Sequence, residues 1–300
     1  MHSVRIKGRE KYKMAKNQVK RYTRSKGGTF TIAFFLIVFG AFMLLPMIYL
    51  IATSLKPLEE IMAFPPKFYV VSPTFENFRA LPKLLKTEWV PFSRYILNSL
   101  FVSIVTTALH IAVASAAAFV LSKYNKYKLF STLFWLVQLS LLYNSYTLSI
   151  PQYVIMSELK ILNTYLVYIL PYLPSALGVF LLKQYMDSSV PDSLLEAARI
   201  DGANCFMTYM RVALPLVKPA MLTLVLFAFK DMWSASSSNM VFDEDIKLLP
   251  NIISQIAVGG ITRQGSTMAA TVLMLLFPVA VYLISQSSIT KTMSSSGIKG

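Results

Sequence analysis

The chain has 300 residues, of which 55% are hydrophobic and only 14% are charged. Soluble domains average about 25% charged residues, so the composition excludes an ordinary soluble protein and indicates several membrane spans. The net charge of +15 would suggest a nucleic-acid partner if the protein were soluble. The single cysteine excludes an internal disulfide, and the two histidines, His2 and His110, form no metal-ligand motif in the sequence.

The N-terminal arm, residues 1–29, carries ten Lys or Arg against one acid, Glu10. We interpret it as a solvated arm on an anionic membrane surface. Nucleic-acid binding is the alternative, but the two aromatic residues of the arm, Tyr12 and Tyr22, are too few for base stacking. The apolar run that follows, 29–52, exceeds the roughly 7–15 residues of a signal-peptide core and has no small-residue cleavage site, so we predict a retained span.

Apolar runs near twenty residues, the length that crosses a bilayer, predict an all-α polytopic membrane protein. We predict six spans, at about 30–52, 94–122, 128–148, 164–186, 219–240 and 266–287. The chain then divides into the basic arm 1–29, a transmembrane domain 30–290 and a short polar tail 291–300.

The charges of the loops give an orientation through the positive-inside rule, which places the basic arm in the cytoplasm. The turn 123–128 has three lysines and no acid, as expected of a cytoplasmic turn. The loops 53–93 and 241–263 mix acids with bases and suit the outer side. Six spans then return the C-terminus to the cytoplasm.

Four prolines lie inside predicted spans, namely Pro46, Pro171, Pro174 and Pro278. Each removes a backbone donor and tends to kink a helix. In lipid such a break persists only where neighbouring helices or a wet cavity satisfy the freed carbonyls. A bundle around a path and the ordinary curvature of a packed bundle both account for them.

The segment between the fourth and fifth predicted spans has the pattern of a helix–turn–helix elbow. Ser193-x-x-Glu196 fits a capping box that starts a helix. Gly202 follows where a left-handed exit residue is needed. Asn204 can cap a second helix, which Pro215 should stop. Small alanines in the first helix would let another protein approach closely, as in helix-in-groove recognition.

The elbow and the segments around it resemble a known family. The spacing of Glu196-Ala197-Ala198, Gly202 and Leu214-Pro215 resembles the EAA loop of binding-protein-dependent ABC importer permeases. Further segments resemble the sugar-importer branch, and within it the maltose-type second permease: Ser54–Ile61, Phe64–Pro66, Phe75–Phe78, Asn98–Tyr124 and Asn163–Tyr185. The resemblance covers nearly the whole chain after residue 29.

This resemblance implies a type I permease fold with cytoplasmic coupling helices in the loop 190–218, which would dock on an ATPase subunit. The residues expected at this contact are Glu196, Ala197, Ala198, Arg199, Asp201, Gly202 and Pro215. Glu196 would be the acidic contact, with the capping box as its alternative role. Arg199 and Asp201 are either docking contacts or solubilising charges.

The resemblance implies a non-catalytic permease subunit in a bacterial cytoplasmic membrane. This subunit would form half of the translocation path for a carbohydrate, in particular an oligosaccharide. The expected partners are a second homologous permease, two ATPase subunits that bind ATP and Mg, an extracellular sugar-binding protein, the sugar and membrane lipids, but no nucleic acid. The chain itself is expected to hold no cofactor or metal. The alternative is an ion-coupled secondary transporter of a small polar solute, which would need buried carboxylates, with Asp231 as a candidate.

Sugar sites combine hydrogen-bonding groups with aromatic faces, and a histidine inside the membrane is a functional candidate by default. The candidate path residues are His110, Gln138, Tyr143, Asn144, Tyr146, Trp233 and Asn239. A packed neutral His110 and an interfacial belt of aromatic residues are the alternatives. Lys230 and Asp231 are predicted near a wet cavity or the outer face, unless they simply pair with each other. Ser234 follows Trp233 where the family often has asparagine, so that sugar contact is not available.

Overall fold

The computed structural model describes residues 26–84, 90–143, 147–236 and 239–296, with side chains described between Gly27 and Gln286. Most of the basic arm and the last four residues of the tail lie outside the described residues. Within them, residues up to Tyr49 and residues from Leu50 onward belong to two compact units.

All regular elements in the described ranges are helical. The α-helices are α1 Lys26–Ser54, α2 Leu58–Met62, α3 Glu76–Leu84, α4 Phe92–Lys123, α5 Lys128–Ser140, α6 Ser149–Glu158, α7 Leu166–Ile169, α8 Ala176–Ser189, α9 Asp192–Ile200, α10 Cys205–Thr208, α11 Leu214–Leu216, α12 Lys218–Trp233, α13 Leu249–Ala257 and α14 Gln264–Ser296. Short 3-10 turns occupy Leu170–Tyr172, Glu244–Ile246 and Gly260–Arg263, and a π-helical turn occupies Tyr209–Ala213.

The first unit contains most of α1, an apolar helix with exposed side chains. Leu36 and Ile37, for example, are 69% and 70% exposed. The segment Gly27–Ser54 has 28 residues and a mean hydropathy of 2.6, so it is long and apolar enough to cross a membrane with its side chains in lipid. The first predicted span, 30–52, lies within this segment.

Three helical segments of the described chain are long and apolar enough to be spans, namely Gly27–Ser54, Phe92–Lys123 and Gly260–Gln286. Two further pairs pass the same test only when both arms are taken together. Leu166–Tyr172 and α8 are bent by 40°, and Cys205–Leu216 and α12 are bent by 81°. The described residues therefore give three to five candidate spans, and the predicted count of six is not confirmed.

The third predicted span, 128–148, accounts for the difference. α5 ends at Ser140 after 13 residues, which corresponds to about 20 Å, whereas the hydrocarbon core of a bilayer is about 30 Å thick. The chain turns at residues 141–143, and α6 begins at Ser149. Composition does not reveal this turn, because Leu141 and its neighbours are as apolar as the helix before them.

The four prolines of the predicted spans occupy two kinds of position. Pro46 and Pro278 lie inside continuous helices, α1 and α14. Pro171 and Pro174 lie at the 40° break before α8. The fourth predicted span is therefore a broken one, as its prolines indicate.

Three buried clusters hold the second unit together, and two helices, α4 and α12, contribute to all of them. α4 supplies Phe119 to the first cluster, Tyr95 to the second and Val102 to the third. Because α4 has 32 residues, it connects the two ends of this unit as one packed rod about 48 Å long.

At the start of α4, the buried side chain of Asn98 holds the loop that precedes α13. Its amide nitrogen donates to the carbonyl oxygens of Asp245 at 2.7 Å and Lys247 at 3.1 Å. Its amide oxygen accepts from the Tyr165 hydroxyl at 2.9 Å. One side chain therefore satisfies three polar groups from two other segments.

A second asparagine, Asn163, holds the same loop further upstream. Its φ of 59° is left-handed, a conformation that asparagine tolerates better than most residues. Its side-chain oxygen accepts from the backbone N–H groups of Phe242 and Asp243, both at 2.9 Å. Its side-chain nitrogen donates to the Asp243 carboxylate at 2.7 Å. These two asparagines fix the loop 240–247 at the end of the unit where α4 begins.

Asn98→Ala tests this arrangement. Because the carbonyls of Asp245 and Lys247 would lose their donor at a buried position, we expect a loss of about 2 kcal/mol of stability. Thermal unfolding of the purified protein in detergent measures the change. Asn125→Ala, at an exposed asparagine just beyond α4, is the matched control and should melt like the parent. Equal melting of Asn98→Ala and the parent would contradict the assigned role.

Candidate functional site

The elbow begins with α9, whose N-cap residue is Pro191. The capping-box prediction is wrong, because Ser193 is already the second residue of the helix. Proline holds φ near −65°, and Pro191 has a φ of −62°, so the helix starts directly after it. Glu196 therefore lies beyond the first turn, has no capping role, and is exposed.

The end of α9 is as predicted. Gly202 has a φ of 81°, in the left-handed region that favours glycine after a helix. The Ala203 amide donates to the Ala198 carbonyl at 2.9 Å and closes the helix end. Nothing lies within 4 Å of the position that a Cβ would take on Gly202. Backbone conformation rather than space therefore selects glycine here.

The second arm of the elbow begins as predicted and ends differently. The side-chain oxygen of Asn204 accepts from the Met207 amide at 2.7 Å and caps the helix. The helical run continues through the π turn to Leu216, with Pro215 inside it, so the predicted stop at Pro215 is wrong. A wider turn before Pro215 accommodates a ring that has no N–H to donate. The chain bends by 81° only afterwards, at Val217.

Two side chains fix the elbow to α4. Leu195 is 9% exposed and belongs to the buried cluster that contains Phe119. The Tyr209 hydroxyl lies 2.7 Å from the Ser115 hydroxyl, and the Tyr209 ring centre lies 5.3 Å from that of Phe119. The elbow and α4 are therefore joined by both apolar packing and a hydrogen bond.

The outward face of the elbow is open. Among the residues predicted for docking, Ala198 is half-buried and the others are exposed, namely Glu196, Ala197, Arg199, Asp201, Gly202 and Pro215. Two large apolar side chains accompany them, with Ile200 86% and Phe206 69% exposed. Exposed apolar side chains in a polar surround are typical of a protein interface.

A polar hollow of about 460 Å³, which we call the elbow hollow, separates α9 from the end of α4. Glu196 and Arg199 line it from the elbow, and Lys123 and Lys126 line it from the other side. Asp187 of α8 also faces this hollow. The charged groups of the elbow therefore lie among charges of both signs, where a docking partner can reach them.

Asp187 is held in place from two sides. Its carboxylate pairs with the Lys183 ammonium at 2.6 Å, and Lys183 is almost completely buried. Its other oxygen accepts from the Ser122 hydroxyl at 2.5 Å. This network joins the end of α8 to the end of α4 next to the elbow.

A second hollow, of about 400 Å³, lies between the break before α8 and parts of α4, α6 and α12. We call it the mid-span hollow, because its α4 residue, His110, is the nineteenth of the 32 residues of that helix. The polar side chains around it include Gln152, Ser175, Asp231 and Asn239. A hollow with polar groups at this depth suits a transport path.

His110 is 8% exposed and makes one defined hydrogen bond. Its Nδ1 lies 2.7 Å from the carbonyl oxygen of Tyr172, at the broken end of the preceding helix. Because a carbonyl oxygen only accepts, Nδ1 must donate, and Nε2 is then an acceptor whenever the ring is neutral. Nε2 has no hydrogen-bond partner among the described residues.

Close packing of α8 against α4 brings the break and His110 together. A Cβ on Gly178 would lie 3.1 Å from His110 Nε2 and 2.9 Å from Ser175 Oγ, so only glycine fits without a shift. Ser175 Oγ accepts from the Gly178 amide at 2.8 Å and caps α8. The restart of the broken helix therefore needs both residues.

The structure separates the predicted path residues into groups. His110 and Asn239 line the mid-span hollow. Gln138 and Tyr143 are exposed and lie outside its lining. Two further candidates, Asn144 and Tyr146, lie outside the described residues.

The structure places Trp233 in the core. It is 1% exposed, and its indole Nε1 donates to the Met274 carbonyl at 2.8 Å. Its ring centre lies 4.8 Å from that of Phe277 and 5.8 Å from that of Phe229. Trp233 is thus a packing residue between α12 and α14 in this conformation.

Asp231 and Lys230 differ in their surroundings. Asp231 lines the mid-span hollow and Lys230 does not. No ion pair joins them within the part of the chain that the structure describes, so the pairing alternative is wrong. Sequence reasoning missed Gln152 and Ser175, although a polar residue amid apolar neighbours and a serine after a helix-breaking proline are recognisable signals.

Comparison with known sequences identifies the family, although no family model matches the sequence. The chain is 30% identical over 209 residues to the sn-glycerol-3-phosphate transport system permease protein UgpE of Shigella flexneri serotype 5b, covering 68% of this chain and 74% of that protein. It is 28% identical over 233 residues to the polygalacturonan/rhamnogalacturonan transport system permease protein YtcP of Bacillus subtilis, covering 77% and 78%.

Comparison with solved structures identifies the fold. A chain in the crystal structure of a bacterial ABC transporter involved in the import of the acidic polysaccharide alginate matches with a TM-score of 0.73 at 19% identity, covering 88% of this chain and 98% of that chain. The protein has the fold of an ABC importer permease. By its sequence relatives, the chain belongs to the permease subunits of sugar ABC importers, which are membrane transport subunits and not enzymes.

Asp187→Ala tests the network beside the elbow, because it leaves the buried Lys183 ammonium without its carboxylate. Breaking a fully buried pair costs about 3–5 kcal/mol, and since Asp187 is 35% exposed we expect about 2 kcal/mol. Lys183→Met combined with Asp187→Leu should recover most of this loss, because an apolar pair needs no counter-charge. Thermal unfolding in detergent compares the variants. A single variant as stable as the parent, or a double variant no better than the single one, would contradict the assignment.

Proposed function

We propose that this chain and a second homologous permease together enclose the path of an ATP-driven carbohydrate importer, in particular one for an oligosaccharide. The observation that carries the proposal is the elbow, whose outward face is open while its inner face is fixed to α4. The polysaccharides for which YtcP is named support the carbohydrate class. The relative named for transport of polygalacturonan and rhamnogalacturonan supports an oligomeric cargo.

The outward face of the elbow docks into a cleft on an ATPase subunit, one for each of the two permeases. Glu196 supplies the acidic contact, and the small residues Ala197, Ala198 and Gly202 allow the backbone to approach closely. Burial of Ile200 there removes apolar surface from water, at about 25 cal/mol per Å². Arg199, Asp201 and Pro215 complete the exposed contact surface. ATP and Mg bind to the ATPase subunits, and this chain holds no cofactor.

Coupling follows from the attachment of the elbow to α4. ATP-driven closure of the two ATPases brings the two elbows together, and hydrolysis releases them. Ser115, which contacts Tyr209 of the elbow, lies five positions from His110 of the mid-span hollow, or about 7.5 Å along α4. A shift at the elbow therefore reaches the path through one helix. Such coupling requires two global states that both ligands bias.

Solute arrives at the end of the unit where α4 begins. An extracellular sugar-binding protein docks on the loops 53–93 and 241–263, which carry charges of both signs. Asn98 and Asn163 hold part of this surface in one conformation. A pre-ordered loop loses less conformational entropy when the partner binds.

The chain lies in the bacterial cytoplasmic membrane with its elbow and both termini in the cytoplasm. The basic arm and the lysines of the turn 123–128 support this orientation through the positive-inside rule. His110 and Asn239 belong to the solute path, because both line the mid-span hollow. The other candidate path residues remain predictions.

An ion-coupled secondary carrier is the weaker candidate. Such a carrier needs carboxylates in its spans that bind and release a cation. Asp231 is exposed to the mid-span hollow, and Asp187 is already paired with Lys183. An open docking elbow has no role in a carrier that works alone.

Glu196→Lys reverses the charge at the proposed ATPase contact without touching the core. We expect the chain to insert and to assemble with its partner permease, while ATP-driven uptake of the sugar held by the cognate binding protein falls at least about tenfold, equivalent to about 1.4 kcal/mol. Uptake into proteoliposomes that contain the full importer is the measurement. Glu158→Lys, at an exposed carboxylate on α6, is the matched control. Normal uptake by Glu196→Lys would remove the docking role.

Cys205 tests the orientation, since it is the single cysteine of the chain and is exposed. A membrane-impermeant maleimide should label it in inside-out vesicles and leave it unlabelled in intact cells. Ser72→Cys in a Cys205→Ala background should give the opposite pattern, because that exposed position lies in the proposed outer loop. Labelling of Cys205 only from outside intact cells would invert the proposed topology.

A further inference from the structure

The mid-span hollow has the size and mixed lining of a small-molecule site. Its volume of about 400 Å³ lies within the range of roughly 300–1,000 Å³ found for ligand pockets. Pro171, Pro174 and Tyr172 present apolar surface on one side. The polar groups of Gln152, Ser175 and other side chains face the same space. A saccharide unit has this combination of hydroxyl groups and apolar C–H faces.

Three buried polar groups near the hollow lack hydrogen-bond partners among the described residues. His110 Nε2 has no partner among the described residues, and neither do the hydroxyls of Thr106 and Thr107. All three side chains line a cavity of about 30 Å³, whose walls share Tyr172 and Asp231 with the mid-span hollow. A cavity of this size with several polar groups in its wall accommodates one ordered water, which can relay a hydrogen bond between a solute and these groups. Leaving such groups unpaired is costly, and Nε2 of a neutral His110 can only be satisfied by a donor, whereas the two hydroxyls can donate as well as accept.

The charge of the hollow is one-sided. Asp231 contributes a carboxylate, whereas no lysine or arginine occurs among the described residues of the lining. Lys230 is the neighbour of Asp231 in the chain but faces elsewhere, because adjacent residues of a helix point about 100° apart. A carboxylate or phosphate on the solute would meet a like charge here and would have no proton to donate at neutral pH.

We propose that the mid-span hollow is a saccharide subsite formed by this chain, and that it accepts uncharged saccharide units and rejects anionic ones such as uronic acids and sugar phosphates. The inference rests on the proposed importer function and adds the charge class of the cargo. Asp231 is the specificity-determining residue, and His110 accepts a hydrogen bond from the solute or from the relaying water. This cargo differs in charge from the glycerol phosphate for which a sequence relative is named and from the acidic polysaccharide for which a structural neighbour is named.

The test uses the assembled importer, with its partner permease and ATPases, in lipid nanodiscs without the binding protein. Saturation-transfer NMR measures binding of glucose, mannose and galactose trisaccharides, each against its uronic-acid counterpart of the same linkage at neutral pH. We expect at least one neutral sugar to bind at least about tenfold more tightly than its acidic counterpart. Absence of binding by all three neutral sugars, or equal binding by a uronide, overturns the inference.

Variants assign the preference to the hollow. Asp231→Asn should reduce the discrimination to less than about threefold, and Asp231→Lys should reverse it. Gln152→Glu should increase it, because a second carboxylate would then face the solute. Glu158→Gln, which removes an exposed carboxylate outside the hollow, should leave it unchanged. An unaltered preference in both Asp231 variants and in Gln152→Glu rules the hollow out as the selective site.

A separate readout distinguishes this inference from the proposed function. ATP hydrolysis by the same complex should rise with the sugar-loaded binding protein and lose that response in Glu196→Lys. If this response is present while the charge preference is absent, the importer function stands and the subsite inference fails. If no sugar-loaded binding protein stimulates hydrolysis, the proposed function itself fails.

Discussion

The hydrogen bond from His110 Nδ1 to the Tyr172 carbonyl is the contact on which the polar interior of this protein depends. Inside a bilayer, each backbone polar group must find its partner within the protein. The break at Pro171 and Pro174 leaves a carbonyl without a helical donor, and His110 from a neighbouring helix supplies one at 2.7 Å. In the neutral ring, the same bond leaves the other ring nitrogen as an acceptor. The break before α8 therefore orients the His110 ring so that Nε2 is left to interact with other groups.

α4 connects the features that a transport subunit has to coordinate. Asn98 near its beginning holds the loop 240–247, His110 near its middle lines the mid-span hollow, and Ser115 contacts the elbow through Tyr209. α4 packs in all three buried clusters, and such packing along its length favours movement as a rod over local bending. Bending between helices is easier at the two breaks, which lie before α8 and at Val217. Rigid helices joined at such breaks are suited to switching between two states.

Local rules predicted those parts of the elbow that depend on a few neighbouring residues. Gly202 and Asn204 behave as expected, because backbone conformation and a single capping bond decide them. The capping box at Ser193 failed because Pro191 starts the helix two residues earlier. The predicted stop at Pro215 was wrong because the π turn before it lets the helix continue past the proline. The apolar pattern of 128–148 did not reveal where α5 ends. The capping-box error could have been avoided from the sequence, because Pro191 is a local signal, whereas the π turn and the end of α5 have no such signal nearby.

The residues of the proposed solute path are harder still to predict from the sequence, because similar side chains have different surroundings in the structure. The sequence suggests Trp233 as an aromatic platform for a sugar. In the structure its ring packs against Phe277 and its N–H donates to a backbone carbonyl. Asp231, two residues earlier, lines the hollow instead. A solved structure named for the import of an acidic polysaccharide has this fold, so the preference for neutral sugars that we propose does not follow from the fold itself. We therefore place the specificity in the few side chains that face the solute, where a carboxylate repels an anionic cargo.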